Sequence, residues 1–285
     1  WPMPVIVISI DNRLESVFQA LDLGAFDFVA KPTALSPDGD ATFRQQVLAK
    51  VGAARVARTA SLVKRRRIRE HGVAKAKPAI PAGQVDPAAV PELSPVSRVV
   101  CIGASTGGPP AVQTVLRMLS NAEDAAFVVA QHMPLGFTRA FAERIDRLSA
   151  LTVVEAHDGV ELRGGTVYVA PGGCHTRLRV LRPGHWSLRV TPADREDCYV
   201  PSIDTLFVSA ADCFGEAVMA VLLTGMGHDG CAGMQAVKAA RGRTVVESEE
   251  TAVVCGMPQA AIMTGAVDDV LPLDQIAGRI ATFVG

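Results

Sequence analysis

The chain has 285 residues, 49% of them apolar and 20% charged, with 28 Lys and Arg against 29 Asp and Glu for a net charge of −1. Such a composition suits a soluble globular protein of one large or two modest domains, and the missing basic bias argues against a nucleic-acid partner. No apolar run approaches the ~20 residues that span a bilayer and no signal-peptide pattern opens the chain, so membrane insertion is not expected either.

Six cysteines (101, 174, 198, 213, 231 and 255) are scattered without a C-x-x-C pair. They are expected as reduced residues of a cytoplasmic protein, with no metal site, cofactor or disulfide framework.

In chain order, residues 4–9 read as a buried strand, 14–23 as a helix ended by Gly24, and 26–30 as a second strand closed by Lys31-Pro32, which is a β-α-β unit. A helix over 41–58 follows. Four elements are too few to enclose a doubly wound core, and the chain begins with Trp1 rather than methionine, so the expectation is that the first half of this domain is absent. Pro-Val-Ile-Val-Ile-Ser, with the later Ala-Leu-Asp-Leu-Gly-Ala-Phe-Asp-Phe-Val-Ala-Lys-Pro, resembles the carboxyl-terminal half of a response-regulator receiver domain. The resemblance implies that Ser9 is the hydroxyl residue contacting an aspartyl phosphate and Lys31 the lysine that pairs with it. It also implies that a histidine kinase would act through the full-length receiver. Read without the resemblance, Ser9 is a strand end and Lys31 a surface lysine.

Residues 53–96 change character. Nine Lys or Arg fall between Arg55 and Lys77, including Lys64-Arg-Arg-Arg67, and prolines follow at 78, 81, 87, 91 and 95. A segment this polar and proline-rich cannot bury enough apolar surface to order itself and is expected to be a solvated linker. Binding of nucleic acid or anionic lipid by the basic run is the weaker alternative, and no aromatic residue for stacking occurs between Arg44 and Ala126,.

The second domain, 97–285, opens on a short β-branched run (98–102), a turn (103–108) and a helical spacing begun by Pro109-Pro110 and marked by Val112, Val115, Leu116 and Leu119,. At a strand-to-helix turn the first backbone N–H groups of the helix are unpaired, so Ser105 is placed beside a ready site for negative charge. Gly103-Ala-Ser-Thr-Gly107 fits G-x-S-x-G, the turn that exposes a nucleophilic serine. Similar turns bind phosphate or merely reverse the chain. A dinucleotide site is disfavoured because the G-x-G-x-x-G spacing is missing.

Strands are then expected at 127–132, ending on His132, and at 151–156 and 166–171. A hairpin joins 175–181 to 186–191 around Arg182-Pro-Gly-His, so part of the sheet is expected to be antiparallel. Pro201-Ser-Ile-Asp starts a helix with Ser202 as N-cap. A strand at 217–223 leads into Thr224-Gly-Met-Gly-His-Asp-Gly230 and a helix through Ala240, and strand and helix alternate to the end. Ser105, His132 and Asp229 thus each lie just past the carboxyl end of a strand in one α/β sheet, where such folds place functional groups. They supply the parts of an acyl-transfer triad, for serine needs a base to take its proton and the base needs a carboxylate to fix its tautomer. His228 adjoins Asp229 but tends to point away from it, and His157, His175 and His185 sit in contexts that favour surface roles.

Ile-Gly-Ala-Ser-Thr-Gly-Gly, Gln-His-Met-Pro-Leu-Gly-Phe-Thr-Arg-Ala-Phe-Ala-Glu-Arg, Val-Tyr-Val-Ala-Pro-Gly-Gly, Pro-Ser-Ile-Asp-Thr-Leu-Phe, Leu-Leu-Thr-Gly-Met-Gly-His-Asp-Gly and Val-Val-Cys-Gly-Met-Pro together resemble the chemotaxis protein-glutamate methylesterase family. The resemblance implies hydrolysis of glutamate methyl esters on chemoreceptor cytoplasmic domains, with deamidation of receptor glutamines in many members. It assigns Ser105 as nucleophile, His132 as general base and Asp229 as the orienting carboxylate. Thr106 and Met226 are placed beside the catalytic centre, where backbone N–H groups serve as oxyanion donors. The chain departs from the family at Glu196-Asp-Cys-Tyr-Val200, where a basic stretch is common, which bears on receptor recognition more than on chemistry. The expected fold is α/β: a doubly wound, mostly parallel sheet with helices on both faces and an antiparallel hairpin, preceded by a partial flavodoxin-like receiver fragment at 1–52. The alternative is a non-catalytic signalling module that holds a phosphate-like anion at the Ser105 loop.

Overall fold

The computed structural model describes residues 3–9, 14–32, 37–57, 61, 64, 65, 68, 96–120, 122–194 and 196–285. Its centre is β3 (Arg98–Ala104), whose side chains alternate between two cores: Val100, Ile102 and Ala104 face one, Val99 and Cys101 the other. A strand apolar on both faces must be covered on both. α3 (Gly108–Arg117) lies on the first face, where it is joined by α4 (Phe137–Leu148) and α8 (Leu273–Val284). The second face is covered by α5 (Ile203–Phe214), α6 (Cys231–Ala239) and α7 (Gly256–Met263).

β3 pairs in parallel with β4 (Ala125–Gln131) on one side and β9 (Val218–Leu222) on the other. Beyond β4 lie β6 (Thr166–Val169) and then β5 (Thr152–Glu155); beyond β9 lie β10 (Arg243–Glu247) and β11 (Asp269–Leu271). The chain therefore builds outward from β3 through β4, then returns to the other flank at β9. The carboxyl end of β3 is the topological switch point, where open α/β sheets leave a crevice.

The expectation of an antiparallel part of the main sheet is corrected. All pairings in the seven-stranded sheet are parallel, and the hairpin β7 (Cys174–Arg182) with β8 (His185–Pro192) forms a separate two-stranded sheet. It is held on the second core by Leu178 and Leu188, so its inner face is satisfied without sheet pairing.

Near the amino end, β1 (Ile6–Ser9) and β2 (Asp27–Ala30) pair in parallel around α1 (Leu14–Asp22). Part of their apolar surface is covered by the unit built on the seven-stranded sheet, while Ile8 of β1 stays 47% exposed. Phe18 stacks on Phe141 with centroids 5.8 Å apart and Phe28 on Phe137 at 4.9 Å. Arg144 of α4 reaches back to Glu15 at 3.2 Å and also to Asp22. Phe26 and Ala53 pack on Val253 and Val254. α2 (Pro37–Val56) runs past residue 52, and Arg65, expected in solvent, is buried. The proline-rich stretch 78–95 lies outside the described residues.

Truncating Phe28 to Ala removes its stack on Phe137 and is expected to cost about 3–5 kcal/mol of local packing. Hydrogen exchange of residues 14–30 should accelerate while the amides of β9 keep their protection, since β9 is hydrogen-bonded between β3 and β10 and, among the described residues, β2 pairs only with β1. Equal acceleration in both would show that the amino-terminal unit and the sheet open together.

Candidate active site

Backbone bonds that continue just past the strands bring the three candidates together. The N–H of His132 donates to the carbonyl of Ala104 at 3.0 Å, the N–H of Leu223 to Gly103 at 2.9 Å, and the N–H of Ser105 to Thr224 at 3.0 Å. Ser105 thus stands between the chain leaving β4 and the chain leaving β9. Gly107 adopts φ +72°, a left-handed turn that a side chain would strain, and α3 starts immediately after it,. Gly225 is required for space: a Cβ there would lie 2.8 Å from the Cβ of Ser105 and 2.2 Å from the Met257 sulfur.

Ser105 Oγ lies 3.1 Å from His132 Nδ1, and His132 Nε2 lies 2.8 Å from Asp229 Oδ2. With Asp229 ionised, Nε2–H is the donor to the carboxylate, leaving Nδ1 bare to accept the serine proton. Asp229 is 2% exposed. Its carboxylate accepts the N–H of Ile203 at 2.8 Å and of Asp204 at 2.9 Å, with the Ser202 hydroxyl at 3.4 Å. These are the first residues of α5, whose unpaired N–H groups and dipole favour negative charge. Burial pushes the Asp229 carboxyl up, but the hydrogen bond and charge of His132 and the N–H groups of Ile203 and Asp204 outweigh it and hold it below the usual range,. Ser202 caps the helix, as expected, by accepting the N–H of Thr205 at 3.2 Å. Asp204 in turn accepts the N–H of Gly233 at 2.7 Å and ties α5 to α6; burial keeps its carboxyl above the usual range.

Thr106 is buried in the turn and Met226 is half-exposed on the opposite loop. Neither backbone N–H finds an acceptor among the described residues. Ser9 and Lys31 stand side by side at the ends of β1 and β2, with the N–H of Lys31 donating to the carbonyl of Ser9 at 2.7 Å. They take no part in the Ser105 cluster.

Two residues went unrecognised in the sequence. Tyr199, within the Glu196-to-Val200 departure, stacks on the His132 ring with centroids 5.2 Å apart and 16° between planes, and meets His228 edge-on at 5.7 Å. No spacing rule announces a loop tyrosine folded over a histidine. His175, expected at the surface, instead has Nδ1 accepting the N–H of Ser202 at 3.1 Å and Nε2 on Asp197 at 2.8 Å. It therefore braces the start of α5, behind Asp229. His185 pairs with Glu161 at 2.6 Å and His157 meets the Asp158 carbonyl at 3.2 Å, both away from Ser105.

All six cysteines are free; Cys101 is buried, and burial raises its thiol pKa, whereas Cys198 is exposed. Among the described residues no group of three His, Cys, Asp or Glu side chains is arranged to hold a metal ion, and no helix is long and apolar enough to cross a membrane.

Comparison with known proteins decides what this geometry belongs to. The family model described as CheB methylesterase matches residues 100–280. The chain belongs to the CheB methylesterase family. A relative from Geobacter sulfurreducens, named protein-glutamate methylesterase/protein-glutamine glutaminase 3, is 45% identical over 98% of this chain and 77% of its own length. One from Myxococcus xanthus, carrying the same name with the number 1, is 44% identical over 98% and 75%. The solved catalytic domain of the Thermotoga maritima CheB methylesterase is 39% identical and superimposes with a TM-score of 0.62, covering 66% of this chain and 97% of that domain. The family's doubly wound sheet is the one described above.

Because folding lowers the Asp229 carboxyl below its ordinary value, its ionised form stabilises the native state above the ordinary Asp range of about 3.9. That contribution is lost as pH falls through the lowered value. Thermal unfolding followed from neutral to strongly acid pH should therefore show a steeper acid decline for the wild type than for Asp229→Asn. Identical acid slopes would contradict the arrangement.

Proposed function

We propose that this chain is a serine hydrolase that removes methyl esters from glutamate side chains of a protein, using Ser105, His132 and Asp229. The observation that carries the reading is the unbroken relay from Ser105 Oγ to His132 Nδ1 at 3.1 Å and from Nε2 to Asp229 at 2.8 Å. Serine becomes a competent nucleophile only when such a base takes its proton. The substrate proposed is the methylated cytoplasmic domain of a chemoreceptor, met in the cytoplasm. Deamidation of receptor glutamines would follow the same steps with ammonia leaving in place of methanol.

In the first half-reaction Ser105 Oγ attacks the ester carbonyl while its proton passes to Nδ1 of His132. Asp229 stabilises the imidazolium through Nε2–H and stays ionised itself. The unengaged N–H groups of Thr106 and Met226 are proposed to hold the negative oxygen of the tetrahedral intermediate. The imidazolium then returns its proton to the methoxide oxygen, methanol leaves, and an acyl-serine remains. Water attacks it in the second half, His132 taking a proton from the water and returning it to Ser105 Oγ as the acyl bond breaks, and the glutamic acid released ionises to the carboxylate.

The reading of the Ser105 loop as a plain anion holder has less support. A buried, ionised carboxylate lies one imidazole away and repels a phosphate-like ligand, and the named relatives are enzymes. Ser9 and Lys31, adjacent at parallel strand ends, suit a receiver fragment through which a histidine kinase would act on the full-length protein.

Ser105→Ala or His132→Ala should each lower kcat by about 10⁴–10⁶, with little further loss in the double variant, because residues acting as one unit are not additive. Asp229→Asn should keep the fold and lose about 10⁴, since the histidine then favours the wrong tautomer. A fluorophosphonate should label Ser105 in the wild type and fail to do so in His132→Ala. Additive losses, or labelling indifferent to His132, would sink the proposal.

A further inference from the structure

One member of the basic run Lys64-Arg-Arg-Arg67 is not in solvent. Arg65 is 6% exposed, and each of its three guanidinium nitrogens donates to the catalytic domain. Nη2 donates to both oxygens of Glu247 at 2.7 Å, Nη1 to the carbonyl of Gly107 at 2.7 Å, and Nε to the carbonyl of Thr251 at 2.7 Å. The segment is seated by neighbours as well: Ser61 Oγ lies 3.4 and 3.3 Å from the carbonyls of Glu249 and Glu250, and Lys64 pairs with Glu250.

Two of these acceptors, Glu247 and Gly107, bear on the nucleophile turn. Glu247 ends β10 with 0% exposure, and a buried carboxylate must be paired and hydrogen-bonded to remain charged there. Besides Arg65, it accepts the N–H of Thr224 at 3.0 Å. Thr224 is itself a hub: its carbonyl holds the N–H of Ser105 at 3.0 Å, and its hydroxyl lies 3.0 Å from the carbonyl of Thr106. Two routes run from one guanidinium to different residues of one turn, and together they reach Ser105, Thr106 and Gly107. The direct one is Arg65 to Gly107. The indirect one is Arg65 to Glu247, to Thr224, to Ser105 and Thr106. Gly107 is the left-handed residue on which the turn depends, and a carbonyl clamped by a charged donor fixes how that turn presents its remaining N–H groups.

We infer that Arg65 is a positioning residue for the nucleophile turn, holding Ser105 to Gly107 in register through the Gly107 carbonyl and through Glu247 and Thr224. The active-site scaffold thereby includes a side chain from outside the 100–280 family match. The inference rests on the reading of Ser105 as a nucleophile. A lysine cannot replace this arginine, because a point charge with three donors does not reproduce a planar fork spread over three acceptors.

The test is the rate of fluorophosphonate labelling at Ser105 in the full chain, measured well below each variant's melting temperature. Arg65→Ala should label about 10- to 100-fold more slowly, the scale expected of an ångström-size displacement of a reacting group. Millimolar guanidinium added to Arg65→Ala should restore much of that rate. Arg65→Lys should fall between the two, and Lys64→Ala should label as the wild type does. Should Arg65→Ala fail to fold for want of a partner for Glu247, the pair Arg65→Met with Glu247→Gln leaves no buried charge and should still label slowly. Labelling of Arg65→Ala or of the Arg65→Met and Glu247→Gln pair within twofold of wild type, or slow labelling of Arg65→Ala that guanidinium does not rescue, overturns the inference. Absence of labelling in the wild type overturns instead the reading of Ser105 on which it rests.

Discussion

The buried carboxylate of Asp229 is the constraint on which the rest of the site depends. An ionised group with 2% exposure carries a desolvation cost of several kcal/mol, and it survives here because donors surround it. His132 supplies one, and the first turn of α5 supplies two backbone N–H groups. A helix amino terminus adds up to ~2 kcal/mol for a partly buried charge. The same helix is held in place by Ser202 at its cap, by His175 behind that cap and by Asp204 reaching across to α6. One carboxylate therefore couples the histidine's tautomer to the docking of the helices on the second face of the sheet.

The sheet explains why these residues meet at all. Ser105, His132 and Asp229 are separated by 27 and 97 residues in the chain, yet β3, β4 and β9 are hydrogen-bonded neighbours that all point their carboxyl ends the same way. The outward-then-return winding leaves a gap in the helical cover at that edge. Glycines at 107 and 225 are what allow the backbone to close around the serine, one by its turn and one by the absence of a Cβ. The order serine, histidine, aspartate along the chain has no mechanical meaning, because the geometry is set by strand adjacency.

Much of this was legible in the residues. The G-x-S-x-G turn, a histidine at the end of an apolar strand and an aspartate on a second glycine-rich turn were visible because strand ends and turns carry strong local signals. The fold class followed from alternating apolar runs and helical spacings. What could not be read were contacts made by residues without a pattern. Tyr199 reaches His132 from an irregular loop, and His175 braces a helix 27 residues away. Arg65 looked like one charge among nine, and only the three-dimensional placement of Glu247 gives it a partner. The hairpin was recognised from its turn residues, but nothing in its alternation told a separate sheet from an edge of the main one, because both bury one face.

The most direct measurement of the central claim is the protonation pattern of the neutral His132 ring, read by long-range proton–nitrogen correlation NMR. The geometry predicts a proton on Nε2, shared with Asp229 and shifted far downfield, and a bare Nδ1 facing Ser105. It also predicts that Asp229→Asn disturbs this preference. A ring protonated on Nδ1 in the wild type, or a tautomer that Asp229→Asn leaves unchanged, would contradict the account.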